Sequence, residues 1–525
     1  MSFKQLGPMA VWLIASSLAG ADYYLDNVKG SDSNSGLKEA PMATYKALED
    51  KLKPGDTVYL NPTGKIYRQE FAIIRSGGVP GQYLTINGNG QTVSGSEIIP
   101  ASAWQKVGED VYKAVGIPVQ IGLIVDNNVE LEQLNRDSLK PGEWCWRPQG
   151  NLFYYMPDSS HPLQGVKIEA TMADGSTQVL DAAKFQHSHS KIGAKRYRNL
   201  KEVVKLAVNG TEAKRAWAKD CLKPGAWTMF EKDVYYRPAP GAEISKQHIE
   251  AMIRGNAFTL AGSGSYVKIV NVNVEHAYND GYNIHGRLKG VVFDRCNARQ
   301  CGDEGVSAHE TCEITFTNSV IRECDNGMNH VHDAKSVTRN IYISDCRNNG
   351  IEFQGGKNSR HLVENAVLVN NRVQFGWSSS SSNPIVMKNI LVVTTGEKMS
   401  MVGASGKSEF ENMTLIAPAM RFYFRGKTTL SLKNSVFCVP KMEFDFRTRP
   451  LDFLSMTNVE IPENTILHNG YRNRESFIKT GKPGLKILKM TAKFDMKTAL
   501  DSLRSGKCGA PEELYTVYDQ NSKTN

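Results

Sequence analysis

The strongest constraint in this 525-residue chain is a recurrence. From Val267 to Phe437 the segments VKIVNVNV, VVFDRCNA, ITFTNSVI, IYISDCRN, HLVENAVL, IVMKNILV, FENMTLIA and LSLKNSVF follow one another. Each is a short β-type run with a polar residue, mostly Asn, near its centre. Taking Asn271, Arg295, Asn318, Asp345, Asn365, Asn389, Asn412 and Asn434 as equivalent gives steps of 24, 23, 27, 20, 24, 23 and 22 residues. Steps of this size match one turn of a parallel β-helix, in which coils stack and like side chains form ladders. A leucine-rich repeat has a similar period but needs a Leu-x-x-Leu-x-Leu pattern, which is absent. The spacing therefore predicts one elongated all-β solenoid rather than several ordinary domains.

The first 21 residues read as a secretory signal peptide. Lys4 is followed by the mostly apolar stretch Pro8 to Leu18 and the small residues Ala19-Gly20-Ala21, which places cleavage before Asp22. Secretion, to the periplasm or the cell exterior, is the expectation. No later stretch approaches the ~18 apolar residues of a membrane span. The 63 Lys and Arg outnumber the 54 Asp and Glu but are scattered, so with export the reading excludes nucleic acid as a partner. A monomer is expected. The nine Cys are odd in number and none is spaced as a zinc ligand pair. Cys296, Cys301, Cys312, Cys324 and Cys346 fall inside the repeats, where they should pack as small apolar groups.

Within residues 22–97 the segment from Tyr23 reads YYLDNVKGSDSNSGLKEAPMATYKALEDKLKPGDTVYL. A strand enters a turn cluster, Thr44 caps a helix whose apolar face is Tyr45, Leu48 and Leu52, and Pro54-Gly55-Asp56 ends it before a strand at Thr57. GSDSNSG has the acidic spacing of a Ca2+ loop but no terminal Glu, so a turn role is assigned. With the later SGGVPGQYLTINGNG, this stretch resembles the entry module of secreted right-handed parallel β-helix proteins of the pectate-lyase-like superfamily (pectin lyase fold). That resemblance implies a right-handed parallel β-helix with an N-terminal helical cap. Residues 98–253 interrupt it with a duplicated β-rich insertion: Asp137 to Trp144 is echoed 83 residues later by Asp220 to Trp227, and both copies continue into an aromatic strand. These PGxW…YY segments are similar to ones in β-helix glycoside hydrolases, which implies polysaccharide or oligosaccharide cleavage. The main coils are assigned to 254–450. The tail, 451–525, should fold back along them and close the far end, with Lys497 to Leu503 helical.

Aligning the coils on Gly281, Gly305, Gly327 and Gly350 puts Tyr282/Ile284, Val306/Ala308, Met328/His330 and Ile351/Phe353 inside. Three outward columns follow: Asn279, Asp303, Asp325, Asn348; Asn283, Ser307, Asn329, Glu352; and His285, His309, Val331, Gln354. A face with carboxylates, imidazoles and amides in register, and no Lys or Arg, reads as a substrate groove. Coils ~4.8 Å apart would hold the Asp303 and Asp325 carboxyls roughly 5 Å apart, the spacing of a retaining glycosidase. Asp280 and Glu304, directly before their glycines, are the alternative pair, and Glu352 with Ser307 leaves an inverting arrangement open. His309 is a candidate proton relay. Asn283, His285, Ser307, Asn329, His332, Glu352 and Trp377 are candidate substrate contacts, with Trp377 and the serines after it on a loop at the rim. His330, on an inward position, is read as a core histidine.

The leading function is glycoside hydrolysis with no metal or cofactor required. The alternative is a polysaccharide lyase acting on a uronate-containing glycan, in which Ca2+ would serve; Arg287, Lys289, Arg295 and Lys335 are its available cations, and none lies in the outward columns. The Asp-Asp and Gly-His-Gly motifs of pectin-hydrolysing β-helix enzymes are absent. A non-catalytic glycan-binding surface protein is the third reading, disfavoured by the acidic patch.

Overall fold

The computed structural model describes residues 20–115, 224–230, 233–396, 400–446, 454–469, 473–480, 483–488, 495–504 and 509–522, with only short strands and isolated positions between 116 and 223. The signal-peptide reading of residues 1–19 falls outside these. The chain divides into two compact units, Met1–Gly95 with Arg254–Asn525, and Ser96–Ile253.

The first unit is a parallel β-helix of about 13 turns. Its longer sheet stacks Val267–Glu275, Val291–Arg299, Glu313–Arg322, Lys335–Ser344, Arg360–Val369 and Ile385–Val393 in parallel. A second sheet stacks Phe258–Leu260, Tyr282–Ile284, Glu304–Ala308, Asn326–His332, Asn349–Gly355 and Val373–Ser379. Alternation drives each strand to bury every second side chain on either side of its left-handed residue, as Ile314 and Phe316 before Asn318, and Ser319 and Ile321 after it, show in Glu313–Arg322. Aromatic rings line up along the core, Phe71 on Phe258 at 4.7 Å and Phe258 on Tyr282 at 5.5 Å between centroids.

The Asn ladder is real, with one position corrected. Asn318, Asn340, Asn365 and Asn389 all take left-handed backbone (φ 54, 54, 57 and 56°). Each Nδ2 donates to the previous Oδ1, at 2.9 Å for Asn340 to Asn318, Asn365 to Asn340 and Asn389 to Asn365. Asp345 belongs to a different turn of the coil, with Gln300, Glu323 and Asn370. Replacing Asp345 by Asn340 turns the uneven steps of 27 and 20 into 22 and 25. Asn is suited here because its side chain tolerates the left-handed conformation and also satisfies its neighbour.

At the N-terminal end the helix is a single turn, Tyr45–Leu48, capped by Thr44 Oγ1 and burying Tyr45 and Leu48 in the same core. Asp32 accepts from Thr44 N at 2.8 Å, so GSDSNSG is the turn expected of it. At the other end, helices Met496–Arg504 and Glu512–Ser522 lay Leu500, Leu514 and Tyr515 on an apolar stripe of the long sheet formed by Tyr342, Val367, Leu391 and Ile416. The tail thus runs back along the flank of the coils. The six described cysteines are all free and buried, including the five inside the repeats, and burial pushes the Cys296 thiol up to about 12. No described helix is long and apolar enough to cross a membrane.

The second unit is built of small, mostly antiparallel sheets. The echoed segments are hairpins in both copies: Trp144–Arg147 pairs with Leu152–Tyr155, and Ala226–Phe230 pairs with Asp233–Arg237. The chain leaves the β-helix at Gly95 and rejoins it at Arg254, whose N–H donates to the Gly95 carbonyl at 2.9 Å.

Candidate functional site on the second sheet

The register places Asn283, Ser307, Asn329 and Glu352 opposite one another, as the column reading requires. Tyr282, Ile284, Val306, Ala308, Met328, His330, Ile351 and Phe353 are all buried in the core. His330 is therefore a core histidine; burial holds its imidazole down at about 4.

Strict alternation fails at the glycines, and the site depends on that failure. Gly305 backs onto the core, where an added Cβ would meet Ile321 Cγ2 at 2.5 Å, and Gly281 does the same against Val274. Gly305 and Val306 therefore both face inward, and Glu304 swings out. The ladder records the break, pairing Glu304 with Asn326 and Val306 with Met328. A fourth column results, Asp280, Glu304, Asn326 and Asn349, which parity alone would have sent into the core.

This column brings carboxyls together. One oxygen each from Asp280, Asp303 and Glu304 lies within 4.8 Å of the others. Asp280 is fully buried; its Oδ1 accepts from Glu304 N at 3.2 Å and its Oδ2 from Ser307 Oγ at 2.7 Å. Glu304 Oε1 accepts from Asn329 Nδ2 at 3.0 Å. Burial, then the hydrogen bond and the charge of Asp280, push the Glu304 carboxyl up to about 9, so it carries a proton at neutral pH. Asp303, half-buried and facing out, is raised by burial and by Asp280. Upstream, Asn256 Oδ1 accepts from Asn279 Nδ2, Asp280 N and Asn283 Nδ2, fixing the start of the column.

Asp325 lies near enough to Asp303 for its charge to help raise that carboxyl, and it also has a cation of its own. Arg347 Nε lies 3.5 Å from Asp325 Oδ1, and its Nη2 donates to the carbonyls of Cys301 and Gly302. The face thus holds a cation that the column reading missed, because Arg347 precedes the aligned position and reaches back across a coil. Asp325 is a paired, partly exposed carboxylate, while the Asp280 and Glu304 alternative is the packed one.

Ser307 and Asn283 are also buried, forming the groove floor rather than its surface. Glu352 is half-buried, raised by burial, and accepts from Asn349 Nδ2 at 2.9 Å. His285 and His309 stack with centroids 4.0 Å apart and planes at 12°. His309 Nε2 lies 3.2 Å from Ser307 Oγ. His332 is exposed, one coil on, and Asp333 is a turn residue accepting from Asn358.

Trp377 is not at the rim. It stands in register with Phe353 and is buried between Phe375 and Phe410. The run of serines belongs partly to the strand, Val373–Ser379, with Ser379 and Ser381 buried. Serine composition suggested a loop; the inward parity of Phe375 and Trp377 decides for a strand.

Among the described residues, donors able to hold a metal converge twice: the acid trio, where the proton on Glu304 already offsets the crowded charge, and His285 with His309 and Glu310.

Residues 256–415 match the family model described as "Right handed beta helix region". No curated protein matches the chain in sequence. Among solved structures, XylC in complex with xylose is similar over 90% of this chain and 86% of its own, at 12% identity and a TM-score of 0.51. A protein described as a glycoside hydrolase aligns over 94% and 100% at 12% identity and TM-score 0.45. A GH136 lacto-N-biosidase from Eubacterium ramulus aligns over 86% and 68% at 11% identity and TM-score 0.33. The first of these shows the shared architecture: the chain is a right-handed parallel β-helix.

Proposed function

We propose that this right-handed β-helix is a secreted glycoside hydrolase whose active site is the carboxyl cluster of Asp280, Asp303 and Glu304. The observation that carries the reading is a buried glutamic acid, its carboxyl pushed up by burial and by Asp280, within 4.8 Å of an outward-facing aspartate. Carboxyls about 5 Å apart are the arrangement of retaining glycosidases. Glu304 then gives its proton to the glycosidic oxygen, and Asp303, the exposed member, attacks the anomeric carbon. Water releases the sugar with Glu304 acting as base. Asp280 stays buried; its charge keeps the proton on Glu304, and Ser307 and the Glu304 backbone hold it in place. Asn329, Glu352 and His285, further along the groove, are placed to contact sugar hydroxyls. The xylose found in the similarly folded XylC supports a sugar substrate.

The test is incubation with neutral, uronic and sulfated glycans, following reducing ends and the ultraviolet absorbance of an unsaturated product. New reducing ends without absorbance are expected, and both Asp303→Asn and Glu304→Gln should lower turnover by ~100-fold or more. Absorbance would install the lyase, with Arg347 as the nearest cation. Glycan binding without turnover would leave the surface-protein reading.

A further inference from the structure

Beside the carboxyl cluster, and not used by it, the ends of two successive strands carry His285 and His309, with Glu310 one residue further. One ring nitrogen of each histidine and a Glu310 oxygen lie within 4.8 Å of one another. We propose that these three residues bind one zinc-class divalent cation at the edge of the groove.

The donor set is that of a zinc site with three protein ligands and one open position, two imidazoles and a carboxylate. His285 Nδ1 and Glu310 Oε2 are 3.3 Å apart. In a tetrahedron with bonds of about 2.1 Å, neighbouring ligand atoms lie roughly 3.4 Å apart. The Gly286 N–H donates to Glu310 Oε2 at 2.8 Å, which holds that oxygen beside His285 Nδ1. Both His285 and Glu310 are about two-fifths exposed, so the site opens to solvent and can adjust around an ion.

An independent observation concerns His309. Ser307 has a single hydroxyl proton, and it donates this to Asp280 Oδ2 at 2.7 Å. The contact between Ser307 Oγ and His309 Nε2 at 3.2 Å therefore requires the imidazole to be the donor. That fixes the Nε2–H tautomer and leaves the Nδ1 lone pair free. A ligating histidine whose other nitrogen is tied, directly or through a hydroxyl, to a carboxylate is the usual second layer of a metal site.

The proposal shares His285 with the sugar contacts above but takes no ligand from the carboxyl cluster, so zinc binding and turnover are read separately. The experiment is calorimetric titration of the untagged full chain with zinc chloride, repeated with cobalt chloride while recording the visible spectrum. Saturable binding of one ion per chain is expected, with the intense visible bands of low-coordinate cobalt. His285→Ala and His309→Ala should each abolish it, and Ser307→Ala should weaken it by about 10–100-fold. His332→Ala, one coil away, should leave it unchanged. Absence of saturable binding at millimolar zinc overturns the proposal, and so does binding that survives both His285→Ala and His309→Ala. Urea unfolding of each variant identifies any that has lost its fold, in which case Glu310→Gln, on a half-exposed residue, supplies the same comparison.

Discussion

Acidification should unfold this β-helix from the inside. His330 is fully buried, donates from Nδ1 to the Asn329 carbonyl at 3.0 Å, and has no partner on Nε2. His361 is buried beside it, stacked on Phe353 at 4.2 Å, with its Nε2 likewise unpartnered. Burial holds His330 down at about 4 and His361 well below its ordinary value. Both are neutral when folded and protonated near pH 6.5 when unfolded. Stability is therefore complete above pH 6.5 and falls as the pH drops toward 4, by about 1.4 kcal/mol per unit for each histidine. For His330 alone the interval amounts to roughly 3 kcal/mol. Glu304 acts in the opposite sense: raised to about 9, it gives stability that is present below pH 4.5 and lost as the pH rises through 9. The opposing limbs place the stability maximum near pH 6.5. Urea unfolding from pH 5 to 9 measures this. The variant His330→Phe, which keeps an aromatic ring against Phe353, should lose about 2 kcal/mol less than wild type between pH 6.5 and 5. Whatever the substitution does to packing shifts the whole curve and leaves that difference intact. Parallel curves for the two proteins on the acid side would refute the reasoning.

Glu304→Gln should flatten the alkaline limb between pH 7 and 9 in the same urea series while lowering turnover, whereas Asp303→Asn should lower turnover with a smaller effect on that limb. Asn389→Ala breaks two amide bonds of the ladder, to Asn365 and from Asn412, each 2.9 Å; a loss of about 2 kcal/mol is expected. Asn389→Gly should cost less, because glycine relieves the left-handed turn; equal losses would show that the bonds carry the whole effect. Trp377→Ala should destabilise by about 3–5 kcal/mol through the cavity it opens, with glycan KM unchanged in the variant that remains folded.

The coil and its ladders were legible because they obey two periods, one of about 23 residues along the chain and one of two along each strand. The columns of Asn283, Ser307, Asn329 and Glu352 follow from those periods alone. What they could not reveal lies where the periods break. Asp280 and Glu304 reach the groove only because Gly281 and Gly305 turn their backs to Val274 and Ile321, side chains of the other sheet. Asp345 was mistaken for Asn340 because each coil has more than one left-handed turn, and a polar residue marks both. Trp377 was misplaced by the serines that follow it. Arg347 was missed because a long side chain can cross from its own coil to Asp325. In each case the deciding contact is made between different strands of the coil, which composition does not encode.

The hydrogen bond between Arg254 and Gly95 has a consequence for how the chain assembles during synthesis. The strand Thr92–Ser94 pairs with Asn273–Glu275, and Phe71–Ile73 pairs with Phe258–Leu260. The first coils therefore emerge long before their partners and must wait for the whole of Ser96–Ile253 to be made. Until then their edges are open, and the only neighbours available to them are each other, through Asp22–Leu25, Thr57–Leu60 and Leu84–Asn87. The intervening unit is thus a built-in delay, set by its length, between the opening of the solenoid and its closure.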